Sequence, residues 1–401
     1  MTGAALATGD HCAYDVIVVG AGLVGLALAS ALAEQSLRVA LVDRAPVAMP
    51  ADPVDDDDWD ARVYAISPGN ATFLRAVGAW QELETDRVGA VEAMRVEAAA
   101  DATLAFSACD LGERALAWIV EERALRAALV PRLHAAGVTL LAPATLKAIA
   151  WAPKSATLLF EDGAAASARL IVGADGLRSW VREAAGIVAP VRPYRQIGVV
   201  ANFNCERAHR GHARQWFRDD GSILAWLPLP GRRISIVWSA PLALAGHLRQ
   251  LSPSALAARV AEAGGHALGE LECITPAAGF PLQIMRPATT IGHRLALAGD
   301  AAHGVHPLAG QGVNLGFGDA ETLACVLRER GPVEDPGAPL LLERYARLRV
   351  EPVRSMQAVT DGLWHLFGTT IPGLGTIRNM GLAAVDRLSP LKRLLAQSAL
   401  R

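Results

Sequence analysis

Gly20-Ala21-Gly22-Leu23-Val24-Gly25 stands directly behind the apolar run Tyr14–Val19 and opens the small-residue run Leu23–Glu34. A second apolar run, Arg38–Val42, follows. The pattern predicts a buried strand, a tight glycine turn, a helix and a second strand, the start of a βαβ unit. Gly20 permits the turn, Gly22 lets a diphosphate approach the backbone, and Gly25 lets the helix lie close on the strand. Free N–H groups and the helix dipole then face the phosphates. Asp43 ends the second strand, 18 residues past Gly25, with Arg44 next to it. A carboxylate there can accept both hydroxyls of an adenosine ribose and would repel a 2′-phosphate. The site therefore suits FAD or NAD rather than NADP.

The chain has 401 residues, 52% hydrophobic and 19% charged, which allows a large core in one domain or two interleaved ones. A net charge of −2 gives no electrostatic basis for a nucleic-acid partner. The five cysteines are odd in number and lack CxxC spacing, which points to a reduced, cytoplasmic compartment and to no metal site. Val16–Ala33 has the length of a membrane span, but it holds the glycine motif, and the residues before it carry no Lys or Arg. A span or signal peptide is not expected.

Further along, Pro46–Asp60 reads as a loop whose acidic run, Asp55–Asp58, is a solvated surface. Ala61–Trp80 reads as a turn and then a helix, and Glu121–Ala136 as an amphipathic helix. Ala156–Phe160 and Arg169–Val172 read as strands around an Asp162-Gly163 turn. From about Arg195 to Leu282 the texture changes to alternating runs, such as Ser222–Leu227 and Arg233–Trp238, which suggests an antiparallel sheet. The plan is an α/β fold in three parts. A Rossmann-like nucleotide-binding domain is built from 13–75, 95–190 and 285–335. A β-rich substrate domain (76–94 and 191–284) is inserted in it. A helical C-terminal segment covers 336–401.

Two later stretches carry chemistry. Gly173-Ala174-Asp175-Gly176 ends a strand, with Arg178 and Arg182 beyond it. In the second, the short strand Leu295–Ala298 runs into Gly299-Asp300, then a stiff turn through His303 and His306-Pro307, then a helix starting near Gly312. Asp300 can bind hydroxyls of a ribityl chain. Backbone N–H groups around Gly312–Asn314 can stabilise charge on a reduced flavin ring. His303 and His306 are three apart but have no evident third ligand, so they read as turn residues.

The order of these motifs resembles the class A flavin-dependent aromatic hydroxylases. His306-Pro307-Leu308-Ala309-Gly310-Gln311-Gly312-Val313-Asn314, Arg62-Val63-Tyr64-Ala65-Ile66-Ser67 and Trp226-Leu227-Pro228-Leu229-Pro230 narrow the likeness to the ubiquinone-biosynthesis hydroxylase family. The resemblance runs from about Tyr14 to Lys392. It implies FAD held by Gly20, Gly22, Gly25, Asp43 and Arg44, with Arg62 near the cofactor. It implies Asp175 in both FAD and NAD(P)H binding, Asp300 on the ribityl chain, and Pro307, Gly310, Gly312, Val313 and Asn314 around the flavin ring. Glu122 departs from the family's Arg, Gln or Asn at the start of its helix, with Arg123 beside it.

The resemblance further implies NAD(P)H as reductant, O2 as co-substrate and a C4a-hydroperoxyflavin as the oxygen donor to the ring of a polyprenylated phenol or benzoquinol. A single GxGxxG fits that class and fits equally an oxidase without nicotinamide. A polyprenyl reductase and a non-enzymatic subunit of a biosynthetic complex are the alternatives. Trp216, Phe217, Trp226 and Trp238 are candidates to line the substrate pocket, although sheet-core residues would look the same. Trp364–Leu400 is expected to pack as a helix on the core; contact with the inner face of a membrane, or with a partner protein or second copy, is the other reading.

Overall fold

The computed structural model describes residues 12–54, 58–97, 103–306 and 311–368. Tyr14–Val19 pairs in parallel with Val39–Val42 on one side and with the long strand Ala165–Gly173 on the other. Leu295–Leu297 extends the sheet beyond Ala165–Gly173, again in parallel. Residues far apart in sequence thus bring the glycine loop, Asp175 and Asp300 to the same carboxyl-end edge of one sheet, where open α/β sheets bind their ligands. The helix Leu23–Ala33 is apolar all round and almost wholly buried, because the helices Glu122–Ala135 and Gly312–Arg328 also cover it.

A second sheet holds Val191–Cys205, His212–Phe217, Ile223–Leu229, Arg233–Pro241 and Ala278–Met285 in antiparallel pairing. Its edge corrects the expected boundary: Ala93–Glu97 joins it in parallel with His212–Phe217, and Thr103–Ser107 follows. Residues 95–97 and 103–107 therefore belong to the second sheet, not to the nucleotide-binding fold. Between the two lies a three-stranded sheet, Val63–Ile66, Ala117–Glu121 and Gly89–Val91. Val63–Ile66 was expected as a turn; it is a strand because its backbone pairs with Ala117–Glu121, a partner more than fifty residues away. A helix, Pro68–Ala76, follows it, with Ser67 accepting from Asn70 N as its cap.

The last helix, Pro339–Gly368, ties the layers together. Tyr345 is buried in the nucleotide-binding core, where its hydroxyl donates to Leu297 O at 2.7 Å. Further on, Gln357 Nε2 donates to Met285 O and Gly304 O, both at 3.0 Å, where the second sheet meets the Asp300 turn. Near the helix end, Trp364 Nε1 donates to Gln196 Oε1 in the second sheet at 3.1 Å. Up to Leu366, then, the segment is packed on the core. Residues 369–400 lie outside the described residues. Among the described residues no helix is long and apolar enough to cross a membrane.

Candidate active site

The glycine loop is packed hard on two sides and open on the third. Gly20 has φ +110°, and a Cβ there would lie 2.3 Å from Ala174 O; a Cβ on Gly25 would lie 1.9 Å from Gly20 O. At Gly22 a Cβ would meet nothing within 4 Å. That open side, heading a buried helix, is a groove of the right character for a diphosphate. Asp43 is fixed beside it: Oδ2 accepts from Ala21 N at 2.6 Å and Oδ1 from Ala45 N at 2.8 Å. Arg44 is exposed.

A residue that the sequence did not single out completes the loop. Arg126, on the helix Glu122–Ala135, donates from Nη1 to Ala21 O at 2.7 Å. Glu122, one turn earlier, instead pairs with Arg62 Nη1 at 2.9 Å and accepts from Tyr64 Oη at 3.3 Å. Burial and then the Glu122 charge push the Tyr64 phenol well above its ordinary range. The i, i+4 spacing of Glu122 and Arg126 on one helix face was the available signal.

Asp300 follows Gly299, whose φ is +62°. Its carboxylate accepts no hydrogen bond from the described residues, and its surface is exposed. Protein nonetheless crowds around it. The resulting desolvation raises its pKa, which His303 and Arg62 oppose and Asp319 reinforces. Beneath it lies a buried ion network. Asp319 Oδ2 accepts from Gly299 N at 2.8 Å and lies 2.6 Å from His303 Nε2, while Oδ1 accepts from Arg349 Nε at 2.6 Å. Burial pushes the Asp319 carboxyl up, but His303 and Arg349 outweigh it and hold it below the usual range.

His306 goes elsewhere. Its ring packs edge-on to Tyr194 at 4.9 Å between centroids, and Nε2 is 3.5 Å from Gln196 Oε1. Burial lowers its pKa to about 4, which keeps it neutral. The two histidines therefore serve different contacts, and among the described residues no group of three or more His, Cys, Asp or Glu could hold a metal ion.

Gly312 begins the helix Gly312–Arg328, so the N–H groups of Gly312, Val313 and Asn314 head it, where a helix supplies no carbonyl of its own. The Asn314 side chain is already committed: Nδ2 donates to Ala65 O at 2.7 Å, and Oδ1 accepts from Ser67 N and Asn70 Nδ2. Its backbone carbonyl accepts from Asn70 Nδ2 at 3.2 Å, so only its backbone N–H is left for a ligand. Pro307 and Gly310 lie outside the described residues. Asp175 Oδ2 accepts from Val181 N at 3.0 Å, while Oδ1 is buried without a partner. Arg182 is structural, donating to Ala301 O and Leu177 O.

The proposed pocket aromatics are corrected by the second sheet. Trp216, Trp226 and Trp238 lie on its face covered by the helices Leu242–Leu248 and Pro253–Ala263, away from the nucleotide-binding fold. Phe217 lies on the opposite face but packs with Leu363 and Leu366 of the last helix. Tryptophan is simply the largest filler for the space between a sheet and its covering helices.

A glycine loop open at Gly22, the fixed Asp43 carboxylate and Asp300 share one sheet edge, the arrangement of a dinucleotide-binding fold, with a second sheet beside it. The family model for the FAD binding domain matches residues 13–359. The chain is 37% identical over its whole length to the ubiquinone hydroxylase UbiL of Rhodospirillum rubrum, 92% of which is covered. It is 34% identical over 96% of its length to the 3-demethoxyubiquinol 3-hydroxylase of Escherichia coli, covering 98% of that protein. In fold it is similar to pqsL, a probable FAD-dependent monooxygenase from Pseudomonas aeruginosa, with TM-score 0.75, 22% identity, and 92% and 99% of the two chains covered. The chain belongs to the ubiquinone-hydroxylase family of FAD-binding monooxygenases. It is an FAD-dependent aromatic hydroxylase, with NAD(P)H as reductant and O2 as co-substrate.

Proposed function

We propose that this chain hydroxylates the ring of a polyprenylated phenol or benzoquinol in ubiquinone biosynthesis. The observation that carries the reading is the uncommitted Asp300 carboxylate on the turn packed against the Gly312 helix, together with a second sheet whose middle cross-strand row, Val200, Val237, Ala225 and Gln215, holds no charge. A polyol and a flat redox ring fit the first, and an apolar ring fits the second.

FAD would lie with its diphosphate on Gly20, Gly22 and Gly25 and its adenosine ribose on Asp43, beside Arg44. Its ribityl chain would lie on Asp300, with Arg62 and Asp175 close by. Its ring would lie against Pro307, Gly310, Gly312, Val313 and Asn314. Bound FAD supplies the redox chemistry: it accepts electrons from NAD(P)H and activates O2. The chain's own residues orient and exclude. Asp300 fixes the polyol through charge-assisted hydrogen bonds. The Val313 and Asn314 amides offer preorganised donors to developing negative charge. The second sheet keeps water off the reacting ring. Asp175, with one carboxylate oxygen still unpaired, is the residue we assign to both FAD and NAD(P)H.

The reading places the enzyme in the cytoplasm, at the inner membrane face where a polyprenyl tail is held, acting alone, as an oligomer or within a biosynthetic complex. Product mass after aerobic and anaerobic NAD(P)H turnover tests the chemistry. A gain of one oxygen, seen only with O2, is expected; a saturated tail with no added oxygen would show a reductase, and protein that takes up no FAD would show a non-enzymatic subunit. Lipid extracts of a deletion strain should hold a quinone precursor lacking one ring oxygen.

A further inference from the structure

The cleft-side face of the second sheet is covered at both ends and partly open in the middle. At one end Ala213, Leu227 and Leu229 pack against Ala65 and Ile119 of the three-stranded sheet. At the other, Phe217 and Ile223 pack under Leu363 and Leu366 of the last helix. Between these two clusters runs one cross-strand row, in which Val200 lies opposite Val237, Val237 opposite Ala225, and Ala225 opposite Gln215. Val237 and Ala225 sit on the two central strands of the sheet. Each nevertheless keeps partial exposure and belongs to neither cluster. Their strand neighbours Trp226, Ile236 and Trp238, which point to the other face, are sealed.

A central-strand side chain that faces a second layer is normally closed off by that layer. Exposure confined to the middle of the row marks a space between the sheet and the nucleotide-binding fold. The row holds no ionisable side chain, and its two central members are short and aliphatic. We propose that Ala225 and Val237 are the floor on which the substrate ring lies, and that side-chain volume at these two positions decides which ring is accepted. This rests on the hydroxylase reading given above. It assigns specificity to residues that touch none of the groups placed around the cofactor, and it replaces the tryptophans, which face the wrong way.

The test uses full-length, FAD-loaded protein and a geranyl-substituted phenol as the probe. Ala225→Leu and Val237→Phe are compared with wild type for flavin content, KM and kcat for hydroxylated product, and peroxide release. Filling the floor should raise the probe's KM about tenfold or more. Flavin content and spectrum should not change, and peroxide should rise as NAD(P)H oxidation loses its acceptor. Val237→Ile, which adds a single carbon, should shift KM in the same direction by less, and it keeps the test standing if a larger variant does not fold. Wild-type KM and product yield in FAD-replete Ala225→Leu and Val237→Phe would overturn the assignment. If wild type binds the probe without hydroxylating it, the functional reading fails. The floor is then judged by the dissociation constant of the probe, read from flavin fluorescence, which should rise in the same variants.

Discussion

His303 Nε2 lies 2.6 Å from Asp319 Oδ2, with neither side chain reachable by solvent. The same carboxylate also takes Arg349 from the last helix and the Gly299 amide from the Asp300 turn. One acidic side chain therefore joins the turn to two helices. Removing one partner of such a network leaves the others buried and uncompensated, which costs far more than the net worth of the intact pairs. Asp319→Asn should lower the free energy of unfolding by about 3–5 kcal/mol in urea titration. A loss under about 1 kcal/mol would show that the network contributes little.

The same residue sets a pH dependence. The folded-state pKa of Asp319 is lowered from an ordinary value of 3.8. A depressed acid contributes stability that is fully present above its unfolded pKa and is lost as pH falls through the folded one. The acid limb of stability, measured below about pH 4, should be shallower in Asp319→Asn than in wild type. Parallel acid limbs would assign the limb to other depressed carboxyls, of which Asp335, paired with Arg294, is one.

Asp300→Ala should weaken FAD binding. Each charge-assisted hydrogen bond to a polyol is worth about 1.5–3 kcal/mol, so the loss of one corresponds to roughly 10- to 150-fold in affinity. Because Asp300 accepts no hydrogen bond among the described residues, fold stability should be little changed. Unchanged flavin content after gel filtration would remove Asp300 from the cofactor site.

Asp43→Ala acts through two routes. The ribose would lose its acceptor, and the Ala21 and Ala45 amides would lose theirs. Both weaker FAD retention and a loss of about 1–3 kcal/mol in stability are expected. Asp43→Asn keeps one of the two acceptors for the loop, so it should recover part of the stability but not the affinity. Full FAD occupancy at dilute FAD in either variant would contradict the ribose role.

Tyr345→Phe removes a buried hydroxyl bonded to Leu297 O. A loss of about 0.5–1.5 kcal/mol in thermal or chemical unfolding is expected, with flavin content unchanged. A change in flavin content without a change in stability would tie this residue to the cofactor instead.

The residues whose positions depend on local backbone geometry are readable from spacing alone. Gly20, Gly22 and Gly25 follow from a strand-to-helix turn, and Asp43 and Asp300 from positions at strand ends. What escaped depends on contacts between distant segments. Arg126 matters because its helix lies across the glycine loop, and Ala93–Glu97 is misassigned without its pairing to His212–Phe217. Alternation puts Trp216, Trp226 and Trp238 on a shared face but does not tell which face the helices cover. Asp319 escaped too, because its partners His303 and Arg349 come from other elements.

Gln357 grips Met285 O and Gly304 O with one amide nitrogen, while its oxygen accepts from Arg286 Nε at 2.8 Å. It does so midway along a helix anchored at Tyr345 in one lobe and at Trp364 in the other. That helix is a strut spanning the seam between the lobes, so they are not built to swing open like jaws. Parting the lobes would break the Gln357 and Trp364 contacts together, so whatever reaches the cofactor has to do so with the seam held closed.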